Sequence, residues 1–327
     1  MNFSDITLLT GVKKVFFIGF LANVDESILK LKLDYGFKIE SMLLTEGCKL
    51  IQELDNINNK WSVDSLRDLV LKFRCGDHIG KRLYYITNSF TCSHDINHGG
   101  FEEILDWDQK NIHPYLKKIL RIIRLFKSGN ICMPLDYHYQ LGENNRKITI
   151  LKSVHNSPVV NELYHLEAED ISLLTSFMCG TDLPFKNQIL EVALENFELS
   201  YSITHKELRF LCLMISLEVL FNPHSQTELT YQISRSAAII IGNNKGERTI
   251  IFNEIKRLYG LRSGLVHTGK STKLCDADSV KLGLWIRQSI KKLHIIMNQT
   301  GKERDAILDE LSCVGFDDTI SDKILKS

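Results

Sequence analysis

The stretch IKRLYGLRSGLVHTGK, residues 255–270, places an arginine and a histidine five residues apart, Arg262 and His267. An arginine presents a fixed cationic fork that matches phosphate oxygens, and a histidine exchanges a proton near neutrality. Together they suit cleavage of an RNA phosphodiester. There the 2′-hydroxyl attacks its own phosphate, a base takes the hydroxyl proton, an acid protonates the leaving oxygen, and a cation offsets the phosphorane charge without a metal. The spacing alone is a weak signal, because a pair of residue types so close together recurs by chance.

The element that carries the pair is an amphipathic helix. Ile251, Ile255, Leu258 and Arg262 follow in steps of four, three and four, so Arg262 continues an apolar stripe. A guanidinium stays charged, and burying it demands an acceptor. Glu218, on the otherwise apolar HKELRFLCLMISLEVLF, is the internal candidate, and an anion from outside is the other. An Arg262–Glu218 pair satisfies both groups and needs no activity. Five helical residues turn through about 140°, so both side chains border one cleft only if the helix bends or ends between them. Gly264, Val266 and Gly269 make an ending there the expectation.

Net charge is zero, yet its distribution is uneven. Residues 201–300 hold 14 Lys and Arg against 7 Asp and Glu, and the other residues carry the compensating negative charge. A basic region beside acidic flanks fits a phosphate-bearing partner, and equally fits a solvated surface. Arg235, Lys256, Arg257, Lys270 and Lys273 are the candidate RNA-phosphate contacts. Arg235 has a structural reading as well, as an ion pair with Glu218 or Glu247, and that reading is preferred. Lys291 and Lys292 sit in the last turns of their helix, where positive charge is favourable in any case.

A rival site lies earlier. Cys75, His78, Cys92, His94 and His98 fall close together in types that bind zinc, although their separations are irregular for a finger. Loop histidines and half-buried thiols are the preferred reading, so no cofactor is expected. The eight cysteines show no paired spacing, which points to free thiols and a reducing cytoplasm. KKVFFIGFLA reads as a buried strand rather than an export signal, and no apolar run is long enough for a membrane span.

The whole is expected to be α+β. An N-terminal mixed α+β domain spans 1–165, with strands at 14–21, 37–44, 82–90 and 147–154. A helix in DESILKLKLDYG gives a βαβ-like opening, HPYLKKILRIIRLFKSGN forms a helix closed by Gly129, and LGENNRK is a turn. A C-terminal antiparallel helical bundle covers 166–300. Its first helix opens at PFKNQ and buries Ile189, Val192, Ala193 and Phe197, and four more follow with short links. Residues 301–327 form a short acidic helix and tail.

The span from Glu207 to Gly269 resembles the Apea-like branch of the HEPN superfamily, helical domains typified by an arginine, four residues and a histidine. RFLCLMISLEVLF is similar to the family's glutamate helix, ISRSAAIIIG to the helix that follows, and GERTIIFNEIKRLYGLRSGLVHTG to the run ending in the arginine and histidine. The resemblance implies an all-α HEPN bundle and a metal-independent endoribonuclease. Arg262 and His267 are then the catalytic pair, with Glu218 orienting Arg262 and Ser263 standing where many members carry Asn or Asp. Thr268 separates His267 from Gly269, where relatives often have the glycine directly. The resemblance further implies a homodimer sharing one groove, 2′,3′-cyclic phosphate products, RNA such as tRNA as substrate, and a cytoplasmic anti-phage or abortive-infection role. A phage-derived trigger or inhibitory partner would then act through an N-terminal sensor. Two alternatives stand beside it: a non-catalytic dimerisation or RNA-binding module, and a zinc-dependent N-terminal domain with the bundle as scaffold.

Overall fold

The computed structural model describes residues 13–55, 82–92, 100–155, 162–222, 228–268 and 274–317. The chain divides into two compact units, Met1–Asp182 and Leu183–Ser327. The architecture is α+β: among the described residues the sheet lies in the first unit and the second is helical.

The first unit is built on a five-stranded antiparallel sheet in the order β2-β3-β1-β4-β5. Its strands are β1 (Lys13–Ala22), β2 (Lys38–Leu43), β3 (Arg82–Cys92), β4 (Cys132–Leu141) and β5 (Lys147–Val154). β1 is central, which explains why VFFIGFL is apolar without alternation: both of its faces are covered. Ile18, Phe20 and Ala22 meet α1 (Leu44–Leu54) through Leu44, Cys48 and Ile51. On the opposite face Val15 packs with Cys92 and with Ile104 of α2 (Gly100–Trp107).

α2 passes through a five-residue π-helical turn, Asp108–Ile112, into α3 (His113–Phe126). The expected helix in DESILKLKLDYG shrinks to a 3₁₀ turn, Glu26–Lys30. Only Ile28 and Leu31 of its apolar residues reach the core, and their three-residue spacing is met by one tight turn. The βαβ-like opening is corrected accordingly. β1 and β2 run the same way, but β3 lies between them and pairs antiparallel with both.

α4 (Ala168–Gly180) belongs to the first unit, which places the division after Asp182 rather than after residue 165. It packs back on the end of α3, where the rings of Phe126 and Phe177 lie 5.9 Å apart and Lys127 reaches Asp170 at 2.5 Å. The stretch before α4 is tied to the end of β1, with Tyr164 N donating to Asn23 O at 2.8 Å and Asn130 N to Glu162 O at 2.9 Å. Gly129 makes that approach possible. Its φ is +133°, and a Cβ there would stand 2.6 Å from Tyr164 Cα.

The second unit contains α5 (Gln188–Ser202), α6 (Lys206–Phe221), α7 (Leu229–Ile241), α8 (Lys245–Thr268), α9 (Asp276–Thr300) and α10 (Arg304–Ser312). α5 starts later than expected, because Asn187 supplies the cap by accepting from Ile189 N and Leu190 N. Its buried face is shifted as well: Leu190, Ala193, Leu194 and Phe197 are inside, while Ile189 and Val192 are half-buried. α6 is central, and Ser216 Oγ donates to Ala193 O at 2.7 Å, allowing α5 and α6 to approach closely. α10 is the short helix expected after residue 300. Among the described residues no helix is long and apolar enough to cross a membrane.

Gly129→Ala combines a left-handed backbone with a clash against main chain. It is expected to destabilise the first unit by about 1–3 kcal/mol, read as a lower midpoint in urea unfolding.

Candidate functional site

Arg262 lies on the buried side of α8, and its Nε stands 3.3 Å from Glu218 Oε1 on α6. The two side chains are 38% and 22% exposed, so the pair is half-open to solvent. The internal acceptor inferred from the sequence is therefore in place. The contact with Glu218 is made through Nε, at one edge of the guanidinium. Tyr259 is buried nearby, and burial, reinforced by the charge of Glu218, keeps its hydroxyl protonated.

The expected break between Arg262 and His267 does not occur. α8 runs unbroken to Thr268, and Thr268 Oγ1 donates to Gly264 O at 2.7 Å. Leu265 explains the continuity: it is buried, seven residues after Leu258, and its packing outweighs the weak helix propensity of Gly264. His267 and Ser263 are exposed, on a side of the helix turned about 140° and 100° from Arg262. Lys256 shares that exposed side, with Nζ 5.3 Å from the Phe252 ring centre.

Two other cations have internal work. Arg235 donates to Leu311 O at 2.7 Å and Val314 O at 2.6 Å, holding the end of α10. The acceptors in these contacts are backbone carbonyls rather than the expected Glu218 or Glu247. Arg257 bridges Glu254 at 3.2 Å and Asp278 at 2.5 Å, fastening α8 to the start of α9. Both arginines therefore carry internal contacts, and Arg257 keeps 42% of its side chain exposed. Lys292 donates to Ile241 O at 3.0 Å, so it closes α7 rather than its own helix. Lys270 and Lys273 lie outside the described residues.

Cys75, His78, His94 and His98 also lie outside the described residues. Cys92 is buried, and its Sγ donates to Glu103 Oε2 at 3.2 Å. Sequence reasoning missed a different cluster in the first unit. Asp108, in the π turn, is almost fully buried; its Oδ2 lies 2.8 Å from His113 Nδ1 and its Oδ1 3.2 Å from His138 Nε2. Burial alone would raise the Asp108 carboxyl, but the contacts from His113 and His138 hold it down at about 2. His113 is raised in turn by its hydrogen bond to Asp108. Alongside, His155 Nε2 lies 2.7 Å from Oδ2 of the buried Asp136. One signal was available: Asp136 and His138, two apart in β4, share a sheet face that ought to be apolar.

Comparison with family models, curated proteins and solved structures finds no match for this chain.

A double-mutant cycle with Glu218→Gln and Arg262→Gln, read by chemical unfolding, is expected to give a coupling of about 0.5–1 kcal/mol, as for other half-exposed pairs. Lys291 yields a pH test, since burial followed by the nearby Arg287 pushes it down to about 8. The unfolded chain then holds more protons than the folded one between about 8 and 10.5, so stability from this group rises with pH across that window. Lys291→Met is expected to raise stability at neutral pH and to remove this part of the slope, measured by unfolding at several pH values.

Proposed function

We propose that the second unit is a HEPN-type, metal-independent endoribonuclease that works as a homodimer. The observation that carries the reading is the way Arg262 is held. Glu218 meets the guanidinium at Nε while the arginine side chain stays 38% exposed, so the bundle presents an anchored, solvent-accessible cation of the kind that binds phosphate oxygens. A surface arginine without an orienting carboxylate would lose more freedom on engaging phosphate.

The reaction is in-line transfer. The 2′-oxygen forms a bond to phosphorus, the bond to the 5′-oxygen breaks, and the products are a 2′,3′-cyclic phosphate and a 5′-hydroxyl. Arg262 offsets the charge on the phosphorane. His267 takes the proton from the 2′-hydroxyl or delivers one to the 5′-oxygen. Single-stranded loops, as in tRNA, are the fitting substrates because their backbone can align for attack.

The continuous helix shapes the dimer. Arg262 and His267 diverge by about 140° around α8, so one protomer does not offer both to the same phosphate. Two protomers packed so that the half-exposed edge of Arg262 on one faces the exposed His267 of the other would complete each site in trans. Ser263 and Lys256, on the side of α8 that carries His267, would line the groove. The described cysteines are all free, which suits action in a reducing cytoplasm. There the first unit would sense a phage-derived trigger or restrain the nuclease.

A second reading has an observation of its own. Arg262 already has its counterion in Glu218, so the pair can be a purely structural tie between α6 and α8 in a dimerising or RNA-binding module.

Labelled tRNA and total RNA incubated with the protein in EDTA separate the two. Cleavage that leaves cyclic phosphate ends is expected, with activity falling at least about 100-fold in His267→Ala and in Arg262→Ala while both remain folded. Cleavage that persists in both variants removes this pair from the reaction. RNA binding without cleavage, unchanged in His267→Ala, supports the binding module.

A further inference from the structure

The buried acids of the first unit present an unusual electrostatic problem. Asp136 is fully buried on β4, yet among the described residues its Oδ1 has no hydrogen-bond partner, while Oδ2 meets the ring of His155. An orphaned carboxylate oxygen in a sheet core is costly and calls for an occupant. His113 and His155 lie over it with ring centres 5.5 Å apart, and one donor atom from each of His113, Asp136 and His155 falls within 4.8 Å of the others.

We propose that His113, Asp136 and His155 bind a divalent transition metal of the zinc class. Two imidazoles and one carboxylate form a borderline N and O donor set, which suits zinc and its neighbours better than magnesium or calcium. Asp108 supplies the outer support. By accepting from His113 Nδ1 it leaves Nε2 as the metal donor and fixes the ring, the carboxylate–histidine–metal arrangement. His138, buried against the other oxygen of Asp108, holds that carboxylate in turn.

The fold positions the donors for this purpose. Asp136 is locked in β4, while His155 follows β5 and is anchored by its own N–H to Pro134 O at 2.8 Å. His113 opens α3 directly after the π turn, a helix irregularity that often re-aims side chains at functional sites. Tetrahedral zinc, with donors about 2.0–2.2 Å away, sets them about 3.3 Å from one another. The 2.7 Å contact of His155 with Asp136 would open slightly, and His113 would close. Both imidazoles are more than a third exposed and can make those adjustments, and their open side leaves a coordination position for water or a ligand oxygen.

The test uses the full chain, stripped with EDTA, desalted, and titrated with Zn²⁺ and separately with Co²⁺. A single equivalent is expected to bind, raising the melting temperature with metal concentration and giving Co²⁺ the visible absorption of a four- or five-coordinate site. His113→Gln and His155→Gln, at half-exposed positions, are each expected to abolish this response with circular dichroism unchanged. Asp108→Asn should weaken affinity about 10–100-fold. His165→Gln, which alters a His–Asp pair elsewhere in the same unit, should leave binding intact. No response to either metal overturns the proposal, as does binding that survives both histidine variants. Loss of binding only on changing His94 and His98 overturns it too, and moves the metal to the cysteine and histidine cluster. The ribonuclease assay in EDTA is independent of every one of these outcomes.

Discussion

A guanidinium on the buried side of α8 must have an acceptor, and Glu218 provides it. Much of the second unit is arranged around that requirement. α6 is apolar nearly all round because it sits centrally in the bundle, and Glu218 is the carboxylate it turns toward α8. Ile251, Ile255, Leu258 and Leu265 seat α8 so that Arg262 arrives opposite it. The contact is longer and more exposed than a sealed ion pair, so the arginine is anchored by Glu218 yet remains 38% exposed. An anchored and half-open cation fits phosphate binding better than a buried salt bridge would.

The first unit solves a related problem in another way. Its sheet is covered on both faces, yet β4 sends Asp136 and His138 into the same covered face, and the π turn adds Asp108. Three buried ionisable side chains in one small region need mutual compensation, which His113 and His155 supply from the rim. The two units therefore carry separate polar centres: a half-exposed cation held by one carboxylate in the bundle, and anions attended by imidazoles in the sheet.

Local patterns carried much of this into the sequence. The central strand, the long helices and the Arg262–Glu218 pair were legible because each follows from apolar periodicity interrupted by one charge. The continuity of α8 was not. Two glycines and a β-branched residue near its end favoured a break, but Leu265 finds a buried site that only tertiary packing creates. β4 was missed because CMPLDYHYQL is buried along both faces, so its polar residues look like loop signals. α1 was missed because its start, at Leu43, lacks a capping side chain, the N-terminal N–H being met by Glu46 instead. The histidine and aspartate cluster was illegible for a different reason. Its members come from a π turn, a helix start, a strand and a strand end, and only the sheet order brings them together.

Mixing inactive variants asks whether two protomers complete each proposed ribonuclease site in trans. Arg262→Ala and His267→Ala, each inactive alone, would be unfolded and refolded together to form mixed dimers. A mixed dimer retains one site with Arg262 from one chain and His267 from the other, so roughly a quarter of wild-type activity should return after equimolar mixing. No recovery from a mixture shown to contain mixed dimers would contradict the account.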